Sequence, residues 1–370
     1  MSNSNPMVDA YAAGQSLWLD YIQRSLLTGD LQALIKNDQV MGLTSNPAIF
    51  EQAIAKTDEY DSTIAAIGND ASIDNLEVFN RLAIEDIQGA ADAFADTYKQ
   101  TNAVDGYVSL EVTPDLAHDT AGTVAMGLYL NKRVDRPNLM IKVPGTKAGV
   151  AAFEELTAQG VNVNVTLLFS VQRYLEIAKA YIAGLERRHA AGHKIDNISS
   201  VASFFVSRVD TEVDTALDAK GTEAAKALKG KIAIANAKVA YGHFANLFGC
   251  DQFAKLRDQG ARPQRLLWAS TGTKNPDYSD VMYVEELIGP ETVNTLPPKT
   301  MDAFRDHGVG SAKLANGLNV AHQQLSELNE LGVSLTNITD DLETAGIASF
   351  AEAFDRLLQS IEDKRKRLAS

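Results

Sequence analysis

The sequence predicts a TIM-type (β/α)8 barrel of class α/β with additional helices, and three observations carry that expectation. Eight short apolar runs alternate with helical patterns from end to end. No tract rich in Gly, Pro or Ser divides the chain, and no internal repeat or low-complexity segment appears. Polar side chains collect at the trailing ends of the runs, where a parallel barrel gathers its loops at one mouth. The runs are 15–20, 40–44, 107–112, 139–143, 161–167, 201–206, 265–269 and 292–296, the first and last being the weakest. Helices between consecutive strands imply crossover connections and therefore a parallel sheet. A doubly wound sheet is the alternative, but no G-x-G-x-x-G follows a strand and no G-x-x-x-x-G-K loop occurs. The expected organisation is one barrel domain over 1–370, with 301–370 a mainly helical part packed on the barrel.

The helices are read from their apolar spacing. Ser170 is a candidate N-cap, followed by Val171, Tyr174, Leu175, Ala178, Tyr181, Ile182 and Leu185 on one stripe. A second stripe is Leu76, Phe79, Leu82, Ala83, Ile87, Ala90 and Phe94. A last one runs Ile347, Phe350, Phe354, Leu357, Leu358 and Ile361, ahead of the basic Lys364-Arg365-Lys366-Arg367. Those four charges read as dipole partners at a helix C-terminus, on a solvated face.

Composition narrows the function. With 370 residues, 45% hydrophobic and 22% charged, the chain has an ordinary globular mix. A net charge of −14 argues against nucleic acid or an anionic membrane as partner. An anionic small substrate then needs local cations to overcome that field. The single cysteine, Cys250, excludes an intrachain disulfide and a thiolate-rich metal site. The N-terminal region lacks a basic stretch followed by an apolar core, and no run approaches the length of a membrane span, so a cytoplasmic protein is expected. The sequon Asn164-Val165-Thr166 is accordingly read as incidental.

Lys142 stands out, as the only charged residue in Leu139-Met140-Ile141-Lys142-Val143-Pro144-Gly145. An ammonium in a buried strand must find a partner, reach solvent at the strand's end or lose its proton. A lysine that is neutral near pH 7 is a nucleophile toward carbonyl carbon. Taken alone, Lys142 leaves the nucleophile and the snorkelling or ion-paired lysine even.

Other run ends carry similar groups. The first ends in Asp20, the second leads into Thr44-Ser45-Asn46-Pro47, and the third holds Glu111. In the fifth, Asn162, Asn164 and Thr166 alternate with apolar residues and share one face. The sixth gives Ser203 and then Arg208, and the seventh leads into Ser270-Thr271-Gly272-Thr273-Lys274. Each has a plainer reading. Asn46 before Pro47 starts a turn; Asp20 caps a helix; Glu111 is the structural partner of Lys142. Thr166 suits any strand, and Arg208 with Asp210 makes a surface ion pair of little worth. His118-Asp119 reads as a helix cap rather than a metal ligand, and no pattern indicates a metal or an organic cofactor.

Together these segments resemble a known family. Gly42-Leu43-Thr44-Ser45-Asn46-Pro47, Ser109-Leu110-Glu111-Val112, Ile141-Lys142-Val143-Pro144, Asn164-Val165-Thr166-Leu167-Leu168-Phe169-Ser170 and the Ser203 to Arg208 segment occur in order over roughly 15 to 300. They look like transaldolase, in the longer bacterial form typical of actinobacteria and cyanobacteria. The resemblance implies a cofactor-free TIM barrel acting on sugar phosphates. It would move a dihydroxyacetone unit from sedoheptulose 7-phosphate to glyceraldehyde 3-phosphate, giving erythrose 4-phosphate and fructose 6-phosphate, in the non-oxidative pentose phosphate pathway.

By the same resemblance, Lys142 matches the Schiff-base lysine and Asp20 the acid/base for the C4 hydroxyl. Glu111, with Thr166 and a water, matches the relay that serves carbinolamine formation and breakdown. Asn46 and Asn164 match amides that hold substrate hydroxyls, while Ser203 and Arg208 match the phosphate site. Shorter family members place an arginine after the seventh strand. Here the pattern departs, and Ser270 and Lys274 take the phosphate role instead. Two rival readings stand beside this one: a Schiff-base aldolase that releases free dihydroxyacetone, and a catalytically silent barrel used for binding. The sequence does not fix the oligomeric state.

Overall fold

Each apolar run forms a strand in the computed structural model, which describes residues 5–68, 70 and 72–368. The strands are β1 (Gln15–Asp20), β2 (Val40–Thr44), β3 (Tyr107–Glu111), β4 (Leu139–Pro144), β5 (Val163–Leu168), β6 (Ser200–Phe205), β7 (Arg265–Ala269) and β8 (Thr292–Leu296). All neighbours are parallel and β8 pairs with β1, so the sheet closes into an eight-stranded barrel in chain order. Closure removes every sheet edge, and the surrounding helices bury the outer face of the strands. That is why the strands are apolar along their length instead of alternating: β2, β3, β4, β5, β6 and β8 are buried at every position.

β1, β2, β7 and β8 lie where the sequence places them, and the departures elsewhere have local causes. β5 starts at Val163 instead of 161 because the Val161 amide donates to Leu156 O at 3.0 Å, closing the preceding helix around Gly160 (φ +90°). Near the other end Leu167 takes φ +60°, and the register against β6 slips between Val165 and Leu168. This bulge ends the alternation after Thr166 and brings Leu167 against Gly346 of the C-terminal helix. A Cβ on Gly346 would sit 3.0 Å from a Leu167 methyl, so a glycine there permits the close approach.

Ser170 caps the helix Val171–Ala190 by accepting the Arg173 amide at 3.1 Å, and Asp119 caps Thr120–Val134 through the Gly122 amide at 3.0 Å. The apolar stripe at 76–94 is the core face of the helix Asn75–Ala93. Past β8 the chain is helical at Pro298–His307, Leu318–Glu330 and Leu335–Leu368. The last of these packs on the helices that follow β2 and β6 and on β5 itself, which brings it to the barrel mouth.

The basic cluster at its end corrects the sequence reading. Lys364 is buried, donates to Thr57 O at 2.6 Å and pairs with Asp61. Arg365 reaches Ile73 O at 2.9 Å, Asn75 Oδ1 at 3.0 Å and Asp70 O at 3.1 Å. Both residues fasten the helix to the 57–75 segment, whereas Lys366 alone keeps to a one-turn pair with Glu362 on the solvated face.

Candidate active site

The parallel register sets the geometry of the barrel mouth. Glu111 on β3 stands opposite Lys142 on β4, and Lys142 opposite Asn164 on β5. Asp20 on β1 pairs in register with Thr44 on β2. Asp20, Thr44 and Lys142 open on a cavity of about 320 Å³ that is also lined by Asn46, Thr166, Arg208 and Lys274, among others, while Glu111 and Asn164 stand behind its wall.

Lys142 Nζ donates to Ser45 O at 3.0 Å and lies 3.3 Å from Glu111 Oε2. Its other neighbour is the Phe350 ring, 5.8 Å from Nζ, contributed by the C-terminal helix. The lysine side chain is 6% exposed and that of Glu111 5%, so this is a buried pair and not a snorkelling lysine. Burial pushes the Glu111 carboxyl up to about 7, against the pull of Lys142; Asp20 adds to the rise. Asp20 is also raised by burial, with Lys142 and the Thr44 hydrogen bond opposing. Three ionisable groups thus share one largely buried well. Of the three, Glu111 is the group placed to gain or lose a proton near neutral pH.

Thr44, which stands in the polar run end Thr44-Ser45-Asn46-Pro47 without a role of its own, fixes Asp20. Its hydroxyl lies 2.7 Å from Asp20 Oδ1 and 2.6 Å from Thr295 Oγ1. Thr166 Oγ1 is buried in the cavity wall with no protein hydrogen-bond partner. A buried hydroxyl left without a protein partner is costly unless the cavity's contents satisfy it.

Asn46 stands where the chain turns from β2 into the next helix. Its Oδ1 caps the helix Pro47–Lys56 by accepting the Ile49 amide at 3.0 Å, while the residue also lines the cavity. Asn164 and Ser203 are tied to each other beneath the mouth. Ser203 Oγ donates to Asn164 Oδ1 at 2.7 Å, and Asn164 Nδ2 donates to Ser109 Oγ at 3.1 Å.

Arg208 opens the helix Ser207–Lys220 and makes no ion pair with Asp210. Asp210 instead accepts the Ala233 amide and the Tyr283 hydroxyl, so the surface-pair reading of Arg208 is corrected. The guanidinium lies 5.4 Å from the Phe205 ring, and its burial lowers its pKa. Lys274, in the loop after β7, is exposed at the cavity rim. Among the described residues neither cation has a carboxylate within ion-pair distance, in a chain of net charge −14. Ser270 has φ +56° and shares a 3.0 Å bond with Ser207 Oγ, so it joins the β7 loop to the Arg208 helix. Uncompensated cations beside a lysine–carboxylate well suit an anionic substrate.

Comparison with known proteins decides the family. Residues 17–361 match the profile of the transaldolase/fructose-6-phosphate aldolase family. The chain is 44% identical to Transaldolase 2 of Nostoc sp. over 377 aligned positions, covering 99% of each chain. It is 45% identical to a transaldolase of Mycolicibacterium smegmatis, covering 97% of each, and 44% identical to one of Trichodesmium erythraeum, covering 99% of each. The chain belongs to this family. For a transaldolase-family barrel, the residues that sequence reasoning missed share one property: their place in the mouth depends on a distant element. Phe350 shows only helical periodicity and Pro297 looks like an ordinary turn residue, while Thr44 and Thr273 stand in polar run ends without a role of their own.

Proposed function

We propose that this chain, a transaldolase by family and by its full-length relatives, transfers a dihydroxyacetone unit from sedoheptulose 7-phosphate to glyceraldehyde 3-phosphate through a Schiff base on Lys142. The observation that carries this reading is the buried lysine held between Glu111 and Ser45, at a mouth with two uncompensated cations. Lys142 attacks the ketose carbonyl as the neutral amine, after passing its proton within the Glu111 and Asp20 cluster. Glu111, with Thr166 and a water, protonates the carbinolamine hydroxyl, and water leaves to give the iminium. Asp20 takes the proton from the C4 hydroxyl as the C3–C4 bond breaks, and the electron pair is held by the iminium. Erythrose 4-phosphate departs. The bound three-carbon carbanion then attacks the acceptor aldehyde, Asp20 returns its proton to the new hydroxyl, and hydrolysis releases fructose 6-phosphate.

Asn46 and Asn164 hold substrate hydroxyls in this reading, and Ser203, Arg208, Ser270 and Lys274 form the phosphate end. The hydrogen bond from Ser203 to Asn164 favours a supporting part for that serine. Among the described residues no helix is long and apolar enough to cross a membrane, and a place in the non-oxidative pentose phosphate pathway puts the enzyme in the cytoplasm.

The test is borohydride trapping with fructose 6-phosphate, followed by peptide mass mapping. A reduced three-carbon adduct on Lys142 is the expected product, and its absence from a folded protein that binds sugar phosphate would remove the mechanism. The aldolase alternative is separated by product: a transferase requires an acceptor aldehyde for turnover, while an aldolase releases free dihydroxyacetone without one.

A further inference from the structure

The two cations at the mouth stand on separate elements, and something must hold them at a fixed spacing. Arg208 is at the start of the helix Ser207–Lys220, and Lys274 is midway along the loop from β7 to the short helix Met282–Glu286. That loop is fastened to the Arg208 helix at two points, one on each side of Lys274. At its base the Ser207 amide donates to Ser270 O at 3.0 Å, beside the bond between their hydroxyls. At its far side the Tyr278 hydroxyl donates to Asp214 Oδ2 at 2.6 Å.

Asp214 is an unusual anchor. It is buried, it has no Lys or Arg within ion-pair distance, and its other oxygen accepts the Gly230 amide at 3.0 Å. One turn earlier Asp210 repeats the pattern, accepting the Ala233 amide at 2.7 Å and the Tyr283 hydroxyl at 2.9 Å. Two buried carboxylates on one face of the helix therefore receive two tyrosines from the segment that carries Lys274. A buried acid without a cation is retained only if hydrogen bonds meet it, which makes each tyrosine hydroxyl costly to lose. Gly230, at φ +69°, leaves room for the Tyr278 ring, since a Cβ there would lie 2.8 Å from it. Tyr278 itself is not part of the cavity wall.

We propose that the Asp214–Tyr278 bond is a positioning device that holds the Lys274 loop against the Arg208 helix, and so sets the enzyme's preference for phosphorylated over unphosphorylated acceptors. This rests on the reading of Arg208 and Lys274 as phosphate ligands. Loss of the clasp lets the loop and Lys274 move away while the lysine–carboxylate well, on β1, β3 and β4, keeps its geometry. The effect falls on the phosphate end of the substrate and spares the chemistry.

The experiment compares kcat/KM for glyceraldehyde 3-phosphate with that for glyceraldehyde, in the wild type, Tyr278→Phe and Arg208→Ala; in a ping-pong cycle these ratios do not depend on the donor. In Tyr278→Phe the preference for the phosphorylated acceptor should fall about five- to tenfold, the size of one ordinary hydrogen bond, with glyceraldehyde turnover unchanged. Equal losses on both acceptors would make the bond merely structural and overturn the proposal. An unchanged preference in Tyr278→Phe, together with a collapsed preference in Arg208→Ala, would also overturn it while leaving the phosphate reading intact. An unchanged preference in Arg208→Ala would remove the phosphate reading itself. Asp214→Ala, which removes both acceptor oxygens, should reproduce the Tyr278→Phe result, and a wild-type preference in a folded sample of that variant would overturn the clasp.

Discussion

Glu111 and Lys142 face each other across adjacent strands, and their charged ends meet at 3.3 Å in a well that leaves both side chains almost fully covered. The lysine's hydrogen bond goes to Ser45 O, not to the carboxylate, so the pair is held by register and charge. Lys142→Ala should abolish turnover, by at least roughly 10⁴-fold if the covalent route is the only one. Steady-state assays and borohydride labelling of the same folded sample check this, and a normal rate in the variant would exclude the Schiff base.

Glu111 should leave a signature in pH dependence. Its carboxyl is raised from 4.5 to about 7 by burial, so between those values the folded protein keeps a proton that the unfolded chain releases. Stability contributed by this group therefore falls as pH rises through that window. Glu111→Gln should show a flatter change of melting temperature with pH over the same range. Its pH–rate profile should also lose the limb near neutrality, with kcat down roughly 100-fold or more.

Arg208→Ala should act mainly on binding. Removing a charge-assisted, half-buried contact to phosphate should raise KM for sugar phosphates roughly 10- to 100-fold. Because Arg208 has no acidic partner to leave stranded, the melting temperature should change little. Calorimetry and initial-rate kinetics separate the two effects.

Phe350 closes the wall beside Lys142, and Phe350→Ala should admit water to the bound carbanion. The expected outcome is more free dihydroxyacetone from fructose 6-phosphate without an acceptor, measured by coupled reduction. Unchanged release would mean that water exclusion is achieved elsewhere in the wall.

Much of this was legible locally. A charged residue in a buried run marked Lys142, and the ends of β1, β2, β7 and β8 followed from apolar runs and their punctuation. What escaped depends on partners distant in sequence. The bulge at Leu167 answers to Gly346, the burial of Lys364 to Thr57 and Asp61, and the fastening of the β7 loop to Asp214. Nothing within a few residues of these positions signals such partners. Asn46 shows the complementary case: the residue before Pro47 was legible as a chain turn, and it caps the helix that starts there while also lining the cavity.

The wall at Phe350 also has a consequence in time. All eight strands have been synthesised once Leu296 is in place, so the barrel and its lysine–carboxylate well are specified well before the ring that covers them. Lys364 and Arg365, by anchoring the C-terminal helix to the 57–75 segment, therefore act on Lys142 from a distance, because the same helix carries the ring beside it.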